Sequence, residues 1–215
     1  MPDPTLTSES PTKGERTRAD LIETAYMLFS TQGYHGTSLR QIAERAGLKA
    51  VGGVYNHFTG KEDLFVAVLT TYHPINQVGP SLANAAGTTV ADLLHHALDL
   101  IYAYLEKNGS RAFLSLVFME LVEFEGKHAD AIFASLTPEI MSFVQLIMAH
   151  SAEFTNPNPL VAVRTFFMFV FGLMLAESVA HHLPGNMILR AGSAHDSLDL
   201  LLHGMLKPPQ GDAHG

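Results

Sequence analysis

The stretch GLKAVGGVYNHF, Gly47 to Phe58, brings a Lys, two adjacent glycines, a Tyr, an Asn and a His into twelve residues. Three chemistries use such a set: cradling a phosphate, binding a metal and reading a nucleic acid. A phosphate loop needs a strand before its glycines, so that the backbone N–H groups converge on the anion. Here AERA precedes in a helical pattern, and both the GxGxxG and the GxxxxGK[ST] spacings are absent. As a metal ligand, His57 needs partners at helical spacing, but positions i−4 and i+4 are Gly53 and Lys61, which do not ligate. The third chemistry fits the order of elements. A short supporting helix (Leu39 to Ala46), a turn at Gly47 and a second helix (Val51 to Phe58) are what a helix-turn-helix requires. Val51, Val54, Tyr55 and Phe58 make its apolar stripe, and Tyr55, His57 and Lys61 can donate to phosphates.

The other candidate chemistries are weaker. His95 with His96 and His181 with His182 are adjacent pairs, and adjacent side chains on a helix diverge by about 100°. A di-iron bundle wants two Glu-x-x-His motifs and two further Glu; the single example, Glu125 to His128, contains Gly126 in a loop pattern. No metal, cofactor or enzymatic chemistry is expected. Glu120 and Glu123, three apart, read as a solvated helix edge or as an anchor for a polar group of a ligand. The absence of Cys removes disulfides, thiolate catalysis and Cys-based zinc sites, and favours a reducing compartment.

These residues must be held by helices. The chain has 215 residues, 47% hydrophobic and 16% charged, a globular composition. Its periodicity is helical almost throughout, with no alternating strand run. The first helix runs from about Arg16 to Gln32 and stops at Gly33; Ser38 with Gln41 caps the second; Thr59 with Glu62 caps a fourth through Tyr72, perturbed at Pro74. After a loop at 79 to 87, helices are expected near 89 to 107, 110 to 125, 128 to 154 (kinked or split at Pro138), 158 to 182 and 195 to 206. The expected organisation is a flexible arm (1–14), a helix-turn-helix domain (15–60), a helical domain (61–206) and a flexible tail (207–215). Net charge is −8, of which residues 1 to 65 carry −1 (7 Lys and Arg against 8 Asp and Glu) and the remainder −7. A basic reading face is therefore confined to the N-terminal third. The N-terminus lacks the features of an export signal. The most apolar run, Thr165 to Ala176, is twelve residues, short of the roughly 20 a spanning helix needs, so a cytoplasmic protein without membrane contact is expected.

Arg18 through Phe65 resembles the DNA-binding domain of TetR-type transcriptional regulators. The resemblance rests on Ala25 and Phe29, then GYHGTSLRQIAERAG, then VYNHFTGKEDLF, in order. It implies a ligand-responsive bacterial repressor that acts as a homodimer on a double-stranded DNA operator. By position, it assigns Thr37, Ser38, Arg40, Tyr55, His57 and Lys61 to phosphates. Lys49, Ala50, Val51, Gly52 and Asn56 fall at or near base edges, with backbone contacts from Arg16 and Arg18. The family usually has six residues between the turn Gly and the Tyr; here there are seven, Leu48 to Val54. A residue inserted in a helix turns every later position by about 100°, so its absorption in the turn near Leu48 to Ala50 is expected. Gly52, Gly53 and the missing Ser or Thr cap predict a recognition helix that frays without DNA.

The rest of the chain holds ten of the 13 Phe and five of the 9 Met between Arg111 and Ala176. Phe113, Phe118, Met119, Phe133, Met141, Phe166 and Phe167 are expected to line a cavity for a small apolar or aromatic effector. The segment from Leu160 to His182 is apolar on more than one face; with LDLLLHGML it is expected to form a four-helix dimer interface. The fold class expected is all-α, a helix-turn-helix three-helix domain followed by a helical bundle for ligand binding and dimerisation. The alternatives are a helical-bundle metalloenzyme and a helical ligand carrier without DNA.

Overall fold

A capping box opens the first helix three residues earlier than periodicity places it. The Thr12 hydroxyl accepts from the Glu15 N–H, and the Glu15 carboxylate accepts from the Thr12 N–H, so α1 spans Lys13–Gln32. Residues 13 and 14 therefore belong to a helix and not to an arm. The computed structural model describes residues 10–82, 87–108, 110–156, 158–180 and 192–206. The arm before residue 10, His181, His182 and the tail from residue 207 lie outside these. No strand occurs among the described residues; one isolated bridge joins Phe154 to Leu206.

The chain divides into two compact units, Met1–Thr71 and Tyr72–Gly215. In the first, α1 buries Leu21, Ile22, Ala25, Leu28 and Phe29. The second helix, α2 (Leu39–Arg45), starts at the Ser38–Gln41 capping box and buries Ile42 and Ala43. A 310 segment, Val51–Asn56, follows, then α3, Lys61–Thr71. The start of α3 differs in detail from the expected Thr59–Glu62 box. The Leu64 N–H already donates to Gly60 O, which makes Asp63 the third helical residue. It is therefore Asp63 that accepts from the Thr59 N–H and hydroxyl. The boundary between units falls after Thr71 and not at 60/61, because Leu64, Phe65, Val68 and Leu69 are buried and the Phe65 ring meets Phe29 and Tyr34 edge-on.

In the second unit Pro74 starts a helix where a perturbation of the preceding one was expected. Proline suits a first helical position, where its missing N–H has no partner to lose, and His73 Nδ1 accepts from the Ile75 N–H at 3.2 Å. The resulting α4, Pro74–Leu82, takes in residues 79 to 82 of the expected loop. The remaining helices are α5 (Val90–Asn108), α6 (Ser110–Val122), α7 (Ala129–Met148), α8 (Pro159–Ala180) and α9 (Ala194–Met205). Pro138 lies inside an unsplit α7, which instead ends at Met148 before a 310 turn at Ser151–Glu153. The core of this unit joins Leu94, Leu98 and Ile101 of α5 to Phe143, Phe166 and Leu198 of α7, α8 and α9.

Candidate functional site

The turn between α2 and the 310 segment is a Schellman motif. The Leu48 N–H donates to Ala43 O and the Gly47 N–H to Glu44 O, with Gly47 at φ +77°, a value that favours glycine. Leu48 then folds over the next element: a Cβ on Gly53 would stand 3.0 Å from Leu48 Cδ1, so a glycine there lets the turn close. Residues 48 to 50 belong to neither helix, and the segment behind them is wound as 310 over six residues. Runs of this kind beyond three or four residues are uncommon and mark strain or function. The local reasons are the added residue, the two glycines, and Ala50 at the N-cap, which provides no side-chain hydrogen bond.

This winding changes which residues face inward. Val54 and Phe58 are buried at 0% and 3% exposure, while Val51 (37%) and Tyr55 (57%) are exposed, so the expected four-residue apolar stripe reduces to two anchors. Lys49, Ala50, Gly52 and Asn56 are also exposed, and His57 is half-buried. The structure thus brings Lys49, Ala50, Val51, Gly52, Tyr55 and Asn56 to one short exposed segment. Around it, Lys61 Nζ lies 4.0 Å from the centroid of the Tyr34 ring and the Arg18 guanidinium 5.0 Å from that of Phe58. Arg16 Nε donates to Pro11 O. Arg40 pairs with Glu44 at 2.9 Å on the open surface, where solvent weakens such a pair and a phosphate can displace it. Ser38 is exposed, with its hydroxyl engaged in the cap of α2.

Thr37 is a correction. It is 1% exposed and its hydroxyl donates to Gly33 O at 2.9 Å, so its side chain holds the turn after α1 and has no donor left for a phosphate. Tyr34 is the residue sequence reasoning passed over as a positioning group, although it stands in the GYHGTS element. Its ring seats Lys61 and packs between Phe29 and Phe65.

A family model described as bacterial regulatory proteins, tetR family, matches residues 21–68, the span that contains this geometry. This N-terminal part of the chain is of the TetR type. Over 53 residues it is 43% identical to the HTH-type transcriptional regulator AcrR of Shigella flexneri, covering 25% of this chain and 24% of that one. The chain thus matches about a quarter of the length of such curated relatives. Among solved structures the likeness extends further. A TetR family transcription regulator from Marinobacter aquaeolei VT8 superposes with a TM-score of 0.63 at 15% identity, over 90% of this chain and 97% of that one. NalD of Pseudomonas aeruginosa, the secondary repressor of the MexAB-OprM multidrug efflux pump, gives 0.59 at 23% identity, over 90% and 98%. These likenesses show the TetR fold, an N-terminal helix-turn-helix domain followed by a helical bundle.

The helical bundle does not assemble the expected aromatic cavity. Phe113, Met119 and Phe166 are buried, Phe167 partly so, but Phe118 (41%), Phe133 (64%) and Met141 (47%) are exposed. Phe166 and Phe167 pack with Phe143 as core rings, and Phe113 meets His73 edge-on. Helical spacing identified an apolar residue set without saying which face each helix turns inward. An open cleft of about 580 Å³ lies elsewhere, lined by Asp99, Tyr102, Ala103, Leu105 and Glu106 of α5 and Glu177 of α8. Burial, with the Glu177 carboxylate nearby, pushes the Tyr102 phenol well above its ordinary range. The sequence signal for this cleft was Glu177, a lone acid at the end of an apolar run. Glu120 is neither solvated edge nor ligand anchor: it is 5% exposed and accepts from the His128 N–H at 2.7 Å and pairs with His128 Nδ1 at 2.8 Å. Among the described residues no three His, Asp or Glu side chains form a metal-binding group. By length and composition α7 and α8 are each apolar enough to cross a membrane, yet both contribute buried residues to the bundle core.

Proposed function

We propose that this chain is a cytoplasmic transcriptional repressor that binds a double-stranded DNA operator as a homodimer and leaves it when a small effector occupies the bundle. The observation that carries the reading is the six-residue 310 segment, anchored by Val54 and Phe58 with Lys49, Ala50, Val51, Gly52, Tyr55 and Asn56 exposed. Small side chains there permit close approach to base edges, while Arg40, His57 and Lys61 supply donors for flanking phosphates. Selection of bound fragments from random DNA, followed by affinity measurement on the winning site, tests it. Enrichment of no sequence would sink it.

For the assembly, α8 carries Leu160, Met168, Phe171, Leu175 and Val179 exposed along one side, and α9 carries Leu200 at 78% exposure. A contiguous apolar face of this length favours a partner of like kind, and two reading heads are needed for half-sites about 34 Å apart. For the effector, the cleft with Tyr102, Ala103 and Leu105 in its lining suits an apolar or aromatic body, and Asp99, Glu106 and Glu177 around it add a preference for a positively charged group.

Two substitutions separate positioning from reading. Lys61→Ala should weaken operator and random DNA alike and lower the salt slope by about 0.9; an unchanged slope removes Lys61 from the phosphate contacts. Gly52 has open space around its Cβ position, so Gly52→Ala should stabilise the fold by about 0.5 to 1 kcal/mol through the unfolded state. Operator affinity should nevertheless fall at least about tenfold, the scale of one lost base contact. Thermal unfolding with operator titration checks both halves, and unchanged affinity would place Gly52 away from the bases.

A further inference from the structure

Four side chains on two helices of the bundle line up end to end. His95 and Asp99 stand one turn apart on α5, and His195 and Asp199 one turn apart on α9. His95 Nε2 meets Asp199 Oδ1 at 2.9 Å, His195 Nε2 meets Asp99 Oδ1 at 2.8 Å, and the two Nδ1 atoms are 2.6 Å apart. The imidazole planes differ by 7°, with centroids 4.9 Å apart. The nitrogen–nitrogen distance plus the two ring radii accounts for that separation. The rings therefore meet edge to edge in a common plane instead of lying face over face.

This geometry fixes a proton count. An ionised carboxylate only accepts hydrogen bonds, so each Nε2 carries a hydrogen. Between the Nδ1 atoms there is room for one. With none, two lone pairs oppose each other; with two, two N–H groups collide. We propose that Asp199, His95, His195 and Asp99 form a shared-proton latch between α5 and α9, closed with three hydrogens on the four ring nitrogens and opened by adding or removing one. One ring is then an imidazolium and the other neutral.

The consequence is a contribution to the docking of α9 that is greatest with one shared proton and falls when that proton is lost or a second is gained. On the acid side the second Nδ1 is protonated, and on the alkaline side the shared proton leaves. The groups around the latch are unequal in sign. His96 is exposed on α5. Asp196 interacts with His195 within α9, and His203 Nδ1 lies 2.7 Å from Asp199 O. Glu106 and Glu177 share a cleft with Asp99. Of the other helices packed on α5, α4 has no charged residue, and α6 has Arg111 and Glu120, the latter held by His128. Because α9 also bears Leu200, the same protonation step would tune assembly; that extension rests on the dimer reading, whereas the latch does not.

The test uses the full chain. Ring-nitrogen NMR of histidine-labelled protein between pH 5 and 8.5 should show the His95 and His195 signals changing together, as one coupled pair. The thermal midpoint of wild type minus that of the His95→Ala, His195→Ala double variant should peak within this range. Each single substitution should abolish the peak, with no further loss in the double. Two rings titrating independently and alike would overturn the latch, as would a midpoint difference that is flat or runs one way with pH. If the variants do not fold, the wild-type spectra decide alone.

Discussion

Met168→Glu should leave a folded chain that no longer dimerises and holds its operator 10²- to 10⁴-fold more weakly. The side chain is 67% exposed, so within one protomer the carboxylate meets water and the bundle core is untouched. In the proposed dimer the same position faces a second copy of α8, and an unpaired charge enclosed there costs several kcal/mol. The operator then loses its second reading head, and with it the effective concentration that linkage provides. Sedimentation and operator titration on one preparation measure both effects. A variant that stays dimeric at micromolar concentration would move the interface off α8. One that becomes monomeric yet binds as before would show that a single head suffices.

The second large effect is an acid limit set by His73. Burial holds its imidazole down to about 4 from the ordinary 6.5, and its Nδ1 accepts from the Ile75 N–H, a bond available only to the neutral ring. The unfolded chain takes up the proton near the ordinary value and the folded chain does not. Stability is therefore unaffected above about pH 7 and falls as pH drops from about 6.5 to about 4, by roughly 3 kcal/mol in all. His73→Asn keeps a cap acceptor without titrating. Denaturant unfolding of both proteins at pH 7, 5.5 and 4.5 should give curves that diverge toward acid, with wild type losing more. Parallel curves would mean that the folded chain admits the proton on His73.

Much of the first unit was legible because it is written in local rules. The Ser38–Gln41 cap, the stop at Gly47 and the inward set Leu21, Ile22, Ala25, Leu28 and Phe29 each depend on neighbours within a turn or two. The misjudged residues depend on something farther away. Thr37 has the right chemistry for a phosphate, but its hydroxyl is spent on Gly33 O, a contact that exists only once the chain after α1 has turned. Glu120 looked solvated on a helical wheel and is buried because the loop after α6 folds His128 back onto it. The aromatic set failed for a related reason. α7 and α8 are apolar on several sides, so periodicity could not choose among them, and Phe133 and Met141 were assigned to an interior they do not enter. The pairing of His95 with His195, a hundred positions apart, has no local signature.

In the proposed complex with DNA, the winding of residues Val51–Asn56 also sets how much sequence the segment can register. At about 2.0 Å per residue, six residues extend about 12 Å, where an α-helix would cover about 9 Å. Laid along a groove with base pairs about 3.4 Å apart, the same side chains are spread over nearly one more step. Each base pair is then inspected by fewer groups, two of the six being glycines without any. Such a reader carries little information per step, so the favoured sites should form a loose consensus, with discrimination recovered from the spacing between half-sites more than from the letters within each.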